Sequence, residues 1–302
     1  MLTHKLVVRS ARVLCAGTVA TLVPLALAPA ASAATLPVAC SEAALRTAIT
    51  TANATSTSDT LNLAPNCTYR LTSELPAITS PIVINGNGDT ITRVSGTFRI
   101  LTVDGGALTL RAATLSNGDA TGSPVAPGAG GAIVVTGNGS LNLFAGAIRN
   151  NHADFGGGIS VFSGSQAQVN ASALTGNSAT QNGGAIVSDS TVSVTTSQIS
   201  GNTAGNVGGG IANIGTLTVT GTNIVNNTAP NGGGGLANGV PAVSGGTSTV
   251  TLSNISNNSA GGTNPGGIYN NGGTVTLRAS RVAANNPNNC LTSPTPVPGC
   301  VG

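Results

Sequence analysis

Few residues in this chain are equipped for acid–base or nucleophilic chemistry, and most of them stand alone. The 302 residues include 8 acids and 2 histidines. The acids fall at Glu42, Asp59, Glu74, Asp89, Asp104, Asp119, Asp154 and Asp189, with no DD or DxD pair among them. Residues 190–277 contain no Asp, Glu, Lys, Arg or His, so general acid–base catalysis is excluded from that span. One grouping combines suitable types. Asp119, His152 and Ser178 occupy the same place in successive copies of a repeat, and Asp154 lies two residues from His152. Carboxylate, imidazole and hydroxyl are the parts of a hydrolytic triad. Stacked coils stand about 4.8 Å apart, however, wider than the roughly 2.6–3.2 Å contacts a working triad needs. The column also continues as Thr203, Thr228 and Ser259, as a solvated turn would. Asp119, His152 and Asp154 are therefore catalytic candidates beside an expectation of no catalysis.

Metal and cofactor chemistry are not expected. No cysteine spacing is CxxC, no GGxGxD calcium repeat occurs, and His152 is the only histidine beyond His4. Cys40, Cys67, Cys290 and Cys300 lie in two pairs near the two ends. They predict two disulfides, with Cys40–Cys67 and Cys290–Cys300 favoured among three possible pairings. Lys5, Arg9 and Arg12 precede an apolar run, Val13–Ala31, broken by Pro24 and Pro29 and ending in Ala31-Ser32-Ala33. That is the pattern of a secretory signal peptide, residues 1–33, with cleavage near Ala33. Its removal takes Cys15 with it and leaves no expected membrane span. The remaining arginines then balance the acids, so nothing favours nucleic acid or anionic lipid.

The elements that carry these residues follow from internal repetition, which decides a fold when its period is 20–50 residues. A Gly-Gly or Gly-Ala step followed by an aliphatic residue recurs at Ile133, Ile159, Ile186, Ile211, Leu236 and Ile268, at intervals of 26, 27, 25, 25 and 32. The last interval is lengthened by an insertion at 241–246. In step with it, an aliphatic is followed three places later by asparagine: Asn151, Asn177, Asn202, Asn227, Asn258 and Asn285. Five residues before that aliphatic stand Leu143, Val169, Val194, Val219, Val250 and Leu277, and two earlier Leu141, Ala167, Val192, Leu217, Ser248 and Val275. Alternation with period two is strand. Three short strands per repeat predict a three-sided solenoid: all-β, a single-stranded right-handed parallel β-helix with an N-terminal helical cap. The asparagines are expected to stack as a ladder of side-chain amides; solvated turn residues that tolerate a left-handed backbone are the alternative.

A solenoid needs its ends covered. Ser41 is a plausible N-cap, and Leu45, Ala48, Ile49 and Ala52 make one apolar helical stripe. Less regular strands are expected at 60–63, 69–72, 82–84 and 98–103. Four prolines from Pro287 to Pro298 discourage strand addition at the other end. The organisation predicted is thus leader 1–33, cap 34–75, β-helix 76–286 and a C-terminal disulfide loop 287–302.

Cys40-Ser41-Glu42-Ala43-Ala44-Leu45-Arg46-Thr47-Ala48-Ile49 resembles the N-terminal motif of secreted bacterial β-helix proteins called CSLREA-type, keeping Leu-Arg-x-Ala-Ile and departing at Glu42-Ala43-Ala44 and Thr47. The Gly-Gly-Ala-Ile and aliphatic-x-x-Asn elements are similar to the repeats of polymorphic outer-membrane proteins. Together these likenesses span 40–290 and imply a pectin-lyase-like fold, which hosts enzymes and non-enzymes alike. No apolar tail or run of membrane strands follows Arg281, so the resemblance does not extend to a translocator barrel. The function expected is a secreted, non-catalytic, monomeric scaffold or adhesin-like protein that binds extracellular polysaccharide or a cell-surface component. The alternative is a polysaccharide lyase or glycoside hydrolase. Sugar platforms are scarce, and Phe144 and Phe162 are expected to pack locally.

Overall fold

The computed structural model describes residues 32–302; the expected leader lies outside the described residues except for Ser32 and Ala33. Each coil of the chain places strands with inward aliphatics and outward polar residues, and successive coils pair in parallel. The result is an all-β parallel solenoid, right-handed as parallel crossover connections are, with a single α-helix among the described residues.

The longest sheet has ten strands, from Thr35–Val38 and Asp59–Leu63 through Ser140–Phe144 and Thr191–Thr195 to Thr274–Arg278. Its register sets Leu141 beside Leu108 and Ala167, and Leu143 beside Leu110 and Val169. A nine-stranded sheet carries the inward column Ile148, Leu174, Ile199, Ile224 and Ile255. An eight-stranded sheet contains Ile133, Ile159, Ile186, Ile211 and Leu236. These columns meet in one continuous buried core.

The expected three-sided coil is corrected to four. A short five-stranded sheet runs through His152–Phe155, Ser178–Asn182, Thr203–Ala204, Thr228–Ala229 and Ser259–Ala260. Its strands are brief, and Ala153, Ala179, Ala204 and Ala229 are small inward residues, so it leaves almost no alternating pattern. The next step of the chain needs glycine for a different reason. A Cβ on Gly184 would lie 2.2 Å from the Gly209 carbonyl oxygen, and one on Gly209 would lie 2.4 Å from that of Thr228. The coils approach too closely here for any side chain.

Buried polar ladders hold the coils in register. Asn177 Nδ2 donates to Asn202 Oδ1 at 2.9 Å and to the Ile148 carbonyl at 3.0 Å, while its backbone N–H reaches the same Oδ1. The pattern repeats from Asn151 to Asn285. Gly118, which has no side-chain amide, donates its backbone N–H to Asn151 Oδ1 and ends the ladder on one side. Asn289, outside the repeat spacing, accepts from Asn285 and extends it on the other. Hydroxyls form a second ladder: Ser172, Ser197, Thr222, Ser253 and Ser280 each accept a backbone N–H from the preceding coil. Asn213, Asn238 and Asn270 form a third.

The stretch read as the N-terminal cap supplies both the helix Glu42–Asn53 and the first two strands of the ten-stranded sheet. Ser41 Oγ accepts the Ala44 N–H, and Leu45, Ala48, Ile49 and Ala52 are the buried stripe. Cys40–Cys67 ties this helix start to the next coil. At the far end Cys290–Cys300 closes a loop whose Val297 is buried and whose Ser293 and Thr295 bond the backbone of Ile268 and Asn270.

Candidate functional site

The sheet register brings Asp119, His152 and Ser178 to equivalent places on successive coils. Local structure then separates their chemistry. Asp119 caps the short 3-10 turn Ala120–Gly122, its Oδ1 accepting from the N–H and Oγ1 of Thr121. His152 Nδ1 pairs with Ser178 Oγ at 2.9 Å, and Asp154 Oδ1 accepts from Thr180 Oγ1 at 2.6 Å. No hydrogen bond or ion pair among the described residues links Asp119, His152 and Asp154 to one another. The 123–128 segment runs over this wall: Gly128 accepts the N–H groups of Asp154 and Phe155, and a Cβ on it would meet Asp154 Oδ2 at 2.4 Å. The arrangement is a histidine–hydroxyl pair beside a carboxylate, without the orienting acid of a triad.

A cleft of about 260 Å³ opens next to that wall. Its accessible lining is mostly carbon, from Val161, Val187, Ala212 and Val240 together with Phe155 and Phe162. Phe155 closes the strand that carries His152 and Asp154, and is 41% exposed. The pairing of Val161 with Ser188 and of Ser188 with Asn213 puts Phe162, Asp189 and Ile214 one coil apart in a column. Among the described residues, Asp189 is the only ionisable group lining the cleft. Burial against the apolar wall pushes its carboxyl pKa up, opposed by hydrogen bonds from its own N–H and that of Ser163. Phe144, expected to pack, is instead 50% exposed on the ten-stranded sheet, because it occupies the outward place at the strand end.

Comparison with known proteins adds little. No family model matches the chain. None of the curated proteins matches it either. Among solved structures it is similar to the mannuronan C-5 epimerase AlgE6 A-module of Azotobacter vinelandii, at 15% identity over 82% of this chain and 93% of that one, with a TM-score of 0.26. No argument below rests on that likeness.

The cleft residues had a signal that sequence reasoning did not use. Phe162, Asp189 and Ile214 each lie three residues after the aliphatic of the Gly-Gly step. Arg99 and Glu74 had none. The guanidinium is fully buried, its Nε 3.8 Å from Glu74 Oε1 and its Nη2 bonded to the Ala126 carbonyl. Burial pushes Arg99 down to about 10, while Glu74 acts to raise it. No metal-binding cluster of His, Cys, Asp or Glu occurs among the described residues.

Proposed function

We propose that this protein is an extracellular, non-catalytic β-helix that binds polysaccharide on its outer wall and serves as a scaffold or adhesin-like component. The observation that carries the reading is the cleft chemistry: two phenyl rings and one carboxylate with no second titratable group beside it. Aromatic faces take up apolar surface with defined geometry, which suits the C–H face of a sugar, and a carboxylate accepts from its hydroxyls. General acid–base cleavage calls for a positioned proton donor and acceptor, and Asp189 is single. The volume is just under the roughly 300 Å³ at which small-molecule pockets begin, fitting one ring of a chain. Two disulfides support an oxidising compartment, as does the leader pattern in the sequence. No helix among the described residues is long and apolar enough to cross a membrane.

A second reading, a polysaccharide lyase or glycoside hydrolase, is favoured by the position of Phe155, which joins the cleft to Asp154 and His152 within one strand. One experiment separates the two. The purified chain is offered plant, fungal and bacterial polysaccharides, with and without calcium, while binding, reducing ends and double-bond absorbance are followed. The expected result is binding without turnover, weakened in Phe162→Ala and Asp189→Asn. Turnover abolished by His152→Ala or Asp154→Asn would establish the enzyme instead.

A further inference from the structure

The outward residues of the ten-stranded sheet change character along the solenoid. The coils at Ser140–Phe144 and Gln166–Asn170 present mixed side chains. From Thr191 onward the face becomes a grid of hydroxyls. One rank is Thr191, Thr216, Thr247 and Thr274; the middle rank is Ser193, Thr218, Thr249 and Thr276; the third is Thr195, Thr220 and Thr251. None of these eleven hydroxyls hydrogen-bonds to another described residue, whereas the inner ladder hydroxyls Ser197 and Thr222 are bonded. The outer hydroxyls are therefore free for a partner.

The grid has two fixed spacings, about 4.8 Å between coils and about 6.6 Å between alternate residues of a strand. Ten of the eleven residues are threonine, whose branched side chain is stiff at χ1, so the hydroxyls hold position with little entropy left to lose. The hydroxyl ladder at the corner after these strands and the asparagine ladder one corner further on tie neighbouring coils together. The eleven residues carry no charge; Asp189 precedes the first strand, and Arg278, in register with Thr251, bounds the grid at its last corner. The grid carries no aromatic ring either.

We propose that this face binds ice. The occupant is argued from the repeat. A polysaccharide chain repeats along one direction, but this array repeats along two, at spacings close to those of oxygen on the prism face of hexagonal ice. Fixed hydroxyls stand in for lattice waters, and the methyl beside each confines the water between ranks. A charged group would instead hold a hydration shell of its own, and the grid meets one only at its edge, where Arg278 follows Thr251 in the third rank. The proposal is independent of the cleft and of any sugar it binds.

The test freezes a solution of the full chain slowly and measures its partition into the growing ice, together with thermal hysteresis. The wild-type protein is expected to enter the ice. Thr218→Lys and Thr249→Lys, at the centre of the grid, are each expected to lose that incorporation. The isosteric Thr218→Val gives a second measure of the same hydroxyl position. Thr203→Lys, exposed on the five-stranded sheet, and Phe162→Ala in the cleft are expected to enter ice like wild type. Far-ultraviolet dichroism and denaturant midpoint verify that each variant is folded. Exclusion of the wild-type chain from ice overturns the proposal, as does unchanged incorporation of both lysine variants. A parallel pull-down on crystalline cellulose and chitin reads the other periodic surface. Retention there that the grid lysines abolish, with wild type excluded from ice, assigns the face to polysaccharide and overturns the ice reading.

Discussion

The coils before Gly131 and those after it are stabilised by different chemistry. In the first region charged groups bridge segments of unequal length. Glu42 accepts from the N–H and Oγ1 of Thr72 and from Ser73. Asp59 takes the Ala34 N–H, Asp89 takes the Cys67 N–H, and Arg99 faces Glu74. In the second region neutral amides and hydroxyls do the same work, and the ladder asparagines recur at separations of 26, 25, 25, 31 and 27 residues. A ladder needs the same atom at the same height in every coil. Where coil length varies, as between Asp59, Ile82, Leu108 and Leu141 in one register, no one position recurs at the same height, and each coil is bridged by a different group.

The comparison is broken most severely at Arg99. Arg99→Met leaves Glu74 without its counter-charge and the Ala126 carbonyl without its donor, and loss of one partner of a buried pair costs about 3–5 kcal/mol. A denaturant midpoint little changed from wild type would mean that the ion pair is dispensable and that the N-terminal coils rest on apolar packing. In the other region Asn202→Leu removes the acceptor of Asn177 and the donor to Leu174, at about 1–3 kcal/mol for each buried group left unpaired. A loss no larger than that of a surface change would leave the asparagines as turn formers only.

Glu42 sharpens the contrast through pH. Burial acts to raise its pKa, but hydrogen bonds from Thr72, Ser73 and Arg46 prevail and lower it from 4.5 to about 2. A depressed carboxylate contributes stability that is complete above 4.5 and is lost as pH falls from there toward about 2. Glu42→Gln should therefore be less stable than wild type at pH 7, with the gap closing as the pH approaches 2. A gap that stays constant over that range would dissociate the effect from ionisation. The smallest change is expected at Asn223, which is exposed beside the buried Ile224. Asn223→Thr should shift stability by no more than about ±0.5 kcal/mol, and a loss comparable to that of Asn202→Leu would mean that position in the ladder does not matter.

Much of the architecture was legible because a solenoid writes its register as a period. Leu143, Val169 and Val194 align at equal spacing and become neighbours in the sheet, since each coil must return an inward residue to the same height. The capping helix was legible for a similar local reason, as Leu45, Ala48, Ile49 and Ala52 recur at helical spacing. The five-stranded sheet was not, because a strand with one inward alanine has no alternation to detect.

What the sequence by itself determined is the set of residues repeated at one place per coil: the aliphatic columns, the asparagines at 151 to 285, and the column holding Asp119, His152 and Ser178. Tertiary structure alone decided what lies between coils and across turns. The partner of His152 is Ser178 rather than an acid, Asp189 falls beside Phe162 in a carbon-lined cleft, and Arg99 is buried against Glu74. Asn289 joins the ladder from outside the repeat. Periodicity fixes height along the solenoid axis, but side-chain direction and the path of each loop depend on contacts between segments that no spacing records.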